Sequence, residues 1–318
     1  MMERPVMEVE VGGVWLSHPV ILASGVLNET AASMMRAVEG GAAAVVTKSI
    51  SLAEREGHPN PTFVELRTGY LNSMGVPNPG IEHYTKEIER FREEMPQVPV
   101  ILSLYGESVE EFEELGRAAR TLPVEAVEVN LSCPNVEEGG IAFGKDPDGV
   151  YSAVRAVRRG FPRGVWAKLT AHCPDIVEAA KAAERGGADA LVAINTLKGI
   201  AIDPYLAMPV LASGTGGYSG EGIKPLALEK VWELASSGEV EAPIVGSGGI
   251  TTGLDAVEFL MAGAAAVEVG SAVRRRGVGG FSQIREEIEA FLVEEGYGSA
   301  GEIVGLALER YPHEEVGE

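Results

Sequence analysis

APIVGSGG at 242–249, LDAVEFLM at 254–261 and AAAVEVGS at 264–271 decide the fold. The first and third are short apolar runs that end in glycine and serine, the form of a buried parallel strand; they predict strands over Ala242–Gly248 and Ala264–Ser271. Between them, apolar residues recur at spacings of three and four, which predicts a helix over Leu254–Met261. A strand, a helix and a second strand in this order form one parallel crossover unit.

Working outward, the same unit repeats. Further strands are expected at Val20–Gly25, Ala43–Ser49, Val98–Gly106, Val124–Ser132, Gly164–Thr170 and Ala188–Asn195, with helices at Ile81–Met95, Val109–Arg120 and Asp175–Arg185. Eight strands in alternation with helices predict an α/β fold, a (β/α)8 TIM barrel, and 318 residues suit one such domain over 1–318. Met7–Val11 and Val14–Leu16 flank Gly12 and Gly13, the signature of an N-terminal hairpin that would close the barrel bottom.

Composition narrows the function. Lys and Arg total 26 against 47 Asp and Glu, a formal charge of -21 that opposes binding to a phosphate backbone. The densest basic run, Arg274 to Arg276, is short and reads as a surface or phosphate-side feature, so no nucleic-acid partner is expected. Neither a signal-peptide core in Met1–Glu10 nor 18 consecutive apolar residues anywhere is found, so no membrane segment is expected and a cytoplasmic location is. The two cysteines, Cys133 and Cys173, lack metal-ligand spacing, and the histidines show none either; no metal site is expected, and Cys173 reads as a packing residue.

Three connections are longer than a barrel needs: Ile50–Gly80, Cys133–Pro147 and Thr196–Gly222. Each follows a strand and so emerges at the C-terminal face, where barrels carry their chemistry. Gly246–Gly249 and Gly270–Ser271 end the seventh and eighth strands, the usual place for a phosphate group held by backbone N–H groups. Lys48 and Lys168 end otherwise apolar strands, where an ammonium must reach solvent or an anion. Cys133 follows the fourth strand within Asn130–Asn135, a setting that suits a thiol of lowered pKa acting as base or nucleophile. Asn72, Asn78, Asn130, Asn135 and Asn195 gather at the same rim, and their amides suit a planar ring of alternating N–H and C=O groups.

These stretches, with Leu71–Gly75, Gly140–Gly144, Ile194–Thr196 and Gly214–Pro225, resemble the class 1 dihydroorotate dehydrogenases over nearly the whole chain. The resemblance implies an FMN-dependent oxidation of dihydroorotate to orotate in pyrimidine biosynthesis. By position, Ser24, Lys48, Ser49, Ser103, Asn130, Lys168, Ile194, Gly220, Gly248, Gly249, Gly270 and Ser271 would hold FMN. Lys48, Asn72, Ser73, Met74, Gly75, Val76, Asn130, Asn135, Asn195 and Thr196 would surround the substrate. Cys133 would be the catalytic base that takes the C5 proton, and Lys168 would face the N1 side of the flavin.

The resemblance divides over the electron acceptor. Ser103 and the run Asn72–Asn78 are similar to the fumarate-linked, homodimeric type; Gly139–Gly144 and Asn195–Leu197 are similar to the NAD-linked type, which is preferred. Because this chain cannot ligate a cluster by itself, the NAD-linked reading implies a partner subunit carrying FAD and [2Fe-2S], in a heterotetramer built on a homodimer. Rival readings are an FMN barrel acting on another pyrimidine, as in dihydropyrimidine dehydrogenases, a tRNA dihydrouridine synthase, disfavoured by the acidic charge, and a non-catalytic flavin or phosphate-binding barrel.

Overall fold

The computed structural model describes residues 4–131 and 143–311. Eight parallel strands close into a barrel: Val20–Leu22, Val45–Val46, Val100–Leu104, Ala126–Asn130, Gly164–Lys168, Ala190–Ala193, Ile244–Ser247 and Ala264–Val269. Closure is made by the eighth strand on the first, with Val267 opposite Val20 and Val269 opposite Leu22. The expected strands are all present but shorter at their ends, as in Ala43–Ser49 reduced to Val45–Val46, because the chain leaves the ladder there to build the mouth.

A helix follows each strand: Ala31–Glu39, Ile81–Glu94, Val109–Ala119, Pro147–Gly160, Ile176–Gly186, Lys224–Ser236, Gly253–Met261 and Gly280–Glu295. Several start where a short polar side chain accepts from the first-turn backbone: Thr30, Ser108, Asp146, Asp175 and Thr252. Such caps satisfy N–H groups left over at the helix start, each with about 1 kcal/mol. The helices bury alternate apolar faces against the strands, forming the main core. No helix among the described residues is long and apolar enough to cross a membrane.

The N-terminal hairpin, Val9–Val11 paired with Val14–Leu16, lies across the barrel bottom as expected. Val11, Val14 and Leu16 pack there with Ile21, Ala126 and Trp166 in a separate buried cluster. Gly12 is required by contact: a Cβ would sit 2.7 Å from Trp166 Nε1.

Two of the long connections are not simple loops. Phe63–Leu66 and Gly69–Asn72, from the second, and Leu197–Ile200 and Thr215–Ser219, from the sixth, make one four-stranded antiparallel sheet over the C-terminal face. Gly216 permits this close approach, since a Cβ there would lie 2.4 Å from the Asn72 carbonyl oxygen.

Candidate active site

A cavity of about 600 Å3 opens at the C-terminal ends of the strands, beneath that sheet. Its size falls in the range of ligand pockets, about 300–1,000 Å3. Along one wall, the seventh strand runs into Ser247, Gly248 and Gly249, with φ of 135° and 79° at the two glycines. A Cβ on Gly248 would meet the Ala227 Cβ at 2.6 Å, so backbone alone can form this wall. Gly270 and Ser271 continue it from the eighth strand. Arg274 lines the same wall and lies over the rings of Phe63 and Tyr70, at 4.7 and 5.8 Å from their centroids, tying the antiparallel sheet to this rim. Of its neighbours in the basic run, Arg275 pairs with Glu221 and Arg276 with Glu287.

The floor is polar. Lys168 Nζ donates to Glu268, and Glu128 Oε2 is 3.5 Å from the same nitrogen. The two carboxylate side chains are fully buried and the lysine side chain is 6% exposed, so this is a charge cluster inside the barrel. Burial first, then the Glu268 charge, pushes Glu128 well above the ordinary carboxylate range against the opposing pull of Lys168 and Ser103. For Lys168, burial works to discharge the ammonium, but the two carboxylates outweigh it and raise its pKa.

From Glu128 a chain of hydrogen bonds crosses the floor. Ser103 Oγ donates to Glu128 Oε1 at 3.2 Å and lies 2.9 Å from Ser49 Oγ, which accepts from Asn130 Nδ2 at 3.0 Å. Asn195 Nδ2 then reaches Asn130 Oδ1 at 3.4 Å. At the far rim Lys48 Nζ is 2.6 Å from the exposed carboxylate of Glu29. Two residues of the lining, Leu27 and Val76, hold positive φ (52° and 55°), and backbone strain of this kind concentrates at functional sites.

Most of the residues named from the sequence meet on this one cavity. Ser24, Lys48, Ser49, Asn130, Lys168 and Ile194 line it, as do Gly220, Gly248, Gly249, Gly270 and Ser271. So do Asn72, Met74, Gly75, Val76, Asn195 and Thr196. Others stand apart. Ser103 is fully buried behind Ser49 and is off the cavity wall. Ser73 is buried with its hydroxyl 3.0 Å from His58 Nδ1, also off the wall. Asn78 is a structural amide: it accepts from the N–H groups of Gly80 and Ser51 and donates to Ser51 Oγ and the Val76 carbonyl. Cys133 and Asn135 lie outside the described residues. Cys173 is half-buried, donates to the Thr170 carbonyl, and has its thiol pKa raised by burial, as suits a packing residue.

Sequence reasoning passed over Glu128 and Glu268 as pocket residues. The signal was present for the acids: each interrupts an apolar strand, in AVEVN at 126–130 and AAAVEV at 264–269.

Fold and site together define a barrel enzyme with a glycine rim suited to a phosphate and a charged floor suited to an electron-rich ring. A family model described as dihydroorotate dehydrogenase matches residues 6–292. The chain is 48% identical over 306 residues to the dihydroorotate dehydrogenase B (NAD(+)) catalytic subunit of Pyrococcus abyssi, covering 95% of this chain and 99% of that one. Proteins of the same name from Methanosarcina mazei and Methanocaldococcus jannaschii are 47% and 44% identical, over 96% and 95% of this chain and 97% and 98% of theirs. The chain belongs to the dihydroorotate dehydrogenase family. Its activity is the FMN-dependent oxidation of dihydroorotate to orotate in pyrimidine biosynthesis.

Proposed function

We propose that this cavity holds both FMN and dihydroorotate, that Cys133 is the base, and that the electrons pass to NAD through a partner subunit. The observation that carries the reading is convergence: with Ser103 set behind the wall, every other residue that the family resemblance assigns to FMN lines one cavity. The residues also fit the cofactor physically. The wall at Gly248 and Gly249 is bare backbone at positive φ, which a Cβ would displace by pressing on Ala227 and Lys224, and the cavity-lining Glu268 keeps one buried carboxylate oxygen with no hydrogen-bond partner.

When bound, FMN supplies the acceptor for the hydride that leaves dihydroorotate. The chain does the rest. Backbone N–H groups around Gly248, Gly249, Gly270 and Ser271 anchor the phosphate, while Lys168 presents positive charge at the floor. Lys48 would attract the substrate carboxylate, exchanging its contact with Glu29, and the amides of Asn72, Asn130 and Asn195 orient the pyrimidine ring. Asn78 acts on this wall through the Val76 carbonyl it holds, and Ser73 through the His58 ring it contacts. The thiol of Cys133 removes the C5 proton.

The relatives' names support NAD as the final acceptor, and a chain whose two cysteines cannot hold a cluster needs an electron-carrying partner, taken here as an FAD and [2Fe-2S] subunit docked on a homodimer. We place this one-domain chain in the cytoplasm. Anaerobic addition of dihydroorotate to the FMN-loaded protein tests the reading: the flavin absorbance should bleach within the dead time of manual mixing. Persistent yellow colour would leave only a flavin-binding barrel. Spectral titration with orotate and uracil separates the rival pyrimidine, because Lys48 rewards a carboxylate that uracil lacks.

A further inference from the structure

The eight barrel strands contain three ionisable side chains, Glu128, Lys168 and Glu268, and all three meet at one point. Two acids and one ammonium, all ionised, would leave a net negative charge sealed from water. Such a charge is strongly penalised, because a buried ion without a partner has lost its hydration. Among the described residues, the other barrel strands carry no second cation. Strands three and seven, beside the two acids, bring the hydroxyls of Ser103 and Ser247, and strand one brings only Val20, Ile21 and Leu22. The further cations of the cavity lining are Lys48, paired with Glu29, and Arg274, which lies over the rings of Phe63 and Tyr70.

Hydrogen-bond directions are consistent with one added proton. Ser103 gives its one hydroxyl proton to Glu128 Oε1, so Ser49 donates to Ser103 while accepting from Asn130 Nδ2. Glu128 Oε2 faces Lys168 and Glu268, where it can donate only if protonated. Glu268 takes the Lys168 ammonium on Oε2 and leaves Oε1 buried without a partner.

We propose that Glu128 and Glu268 share a single proton beneath the cofactor, so that the floor is neutral at neutral pH and becomes negative only when that proton is lost. Both are positioning residues acting with Lys168 to set the charge that faces the cavity; the functional part of this rests on the reading of the cavity as the FMN site. A neutral floor favours electron arrival above it, and a negative floor opposes it. Neither acid alone has this property: with one removed, the other is an ordinary carboxylate beside an ammonium.

Infrared spectra of the flavin-free protein test the shared proton without reference to FMN. A carboxylic-acid carbonyl band is expected in the native protein at pH 7, lost on alkaline titration as one proton. It should vanish in Glu128→Gln and equally in Glu268→Gln. Absence of the band in the native protein overturns the proposal, as does its survival in Glu268→Gln. If either variant fails to fold, the native titration alone decides. The second arm is the flavin midpoint potential against pH. Native protein should lose electron affinity more steeply than both variants above the pair's titration, the extra loss reaching tenfold in the reduction equilibrium for each pH unit. Parallel slopes would sink the electronic role. Quenching of FMN fluorescence on binding checks the cavity separately, so failure there removes the FMN reading and leaves the infrared result standing.

Discussion

At the bottom of the barrel the strands enclose Ile21, Ala126 and Trp166 under a hairpin that adds Val11, Val14 and Leu16. At the top the same strands carry Glu128, Lys168 and Glu268 around a cavity roofed by an antiparallel sheet. Two residues of one strand separate the two regimes: Trp166 pairs across from Glu128, and two residues later Lys168 pairs with Asn130. The apolar end gains stability from packing, and the polar end uses that stability to hold charges that a loose structure would hydrate. Substitutions at the two ends should therefore separate cleanly into folding and function.

The largest effect belongs at the top. Cys133→Ala should lower kcat by about 10²–10⁴-fold, the usual worth of a positioned base, while the protein keeps its yellow FMN and its unfolding midpoint. Turnover with dihydroorotate and the flavin absorbance, measured on one preparation, check this; full activity would remove Cys133 from the mechanism. At the bottom, Trp166→Ala should cost about 3–5 kcal/mol in urea unfolding, through the cavity left under Gly12. FMN affinity in that variant should stay within about twofold, because the Trp166 ring belongs to the hairpin cluster below the floor. A large loss of FMN binding would show that the two ends are coupled.

His18 sharpens the same contrast through pH. It lies at the start of the first strand, accepts from the Val20 N–H, and has its pKa lowered from 6.5 to about 4 by burial and then by the charge of Arg285. The unfolded chain then binds the proton more readily than the folded one. Stability is complete above pH 6.5 and falls by up to about 3 kcal/mol as pH drops towards 4. His18→Gln should flatten this part of the stability profile, and an unchanged profile would show that other groups control the acid limb.

Much of this division could be read from the residues. The βα rhythm, the hairpin glycines and the strand-end lysines each have a local signal, because period, turn chemistry and a charge in an apolar run are local properties. The acids of the floor obey the rule that found Lys168, yet AVEVN and AAAVEV also scan as strands with one solvated side chain; only closure of the barrel brings Glu128 and Glu268 to a common lysine. The roof sheet was illegible for a related reason. Gly217 pairs with Asn72 across 145 residues, and a glycine-rich run such as Gly214–Gly217 reads locally as loop. Asn78 was misread because an amide that caps a turn and one that binds a ligand use the same atoms; its contacts to Ser51 and Gly80 decide the matter. Ser103, expected at the cofactor, sits behind the cavity-lining Ser49 and links it to Glu128.

The smallest effects come from two glycines, one at each end, that share positive φ and differ in their surroundings. Gly248, at φ 135°, has the Ala227 Cβ 2.6 Å from where its own would lie, whereas Gly13, at φ 83°, has nothing within 4 Å. Alanine at Gly13 should therefore cost only the conformational penalty, about 1 kcal/mol of stability, with FMN binding unchanged. Alanine at Gly248 adds a contact that displaces the wall where a phosphate would rest, and a shift of that wall weakens its hydrogen bonds. FMN affinity should fall on the order of tenfold, about 1.4 kcal/mol, as measured by fluorescence quenching. Equal losses of FMN binding at the two positions would mean that the hairpin and the phosphate rim are not the independent ends that their packing describes.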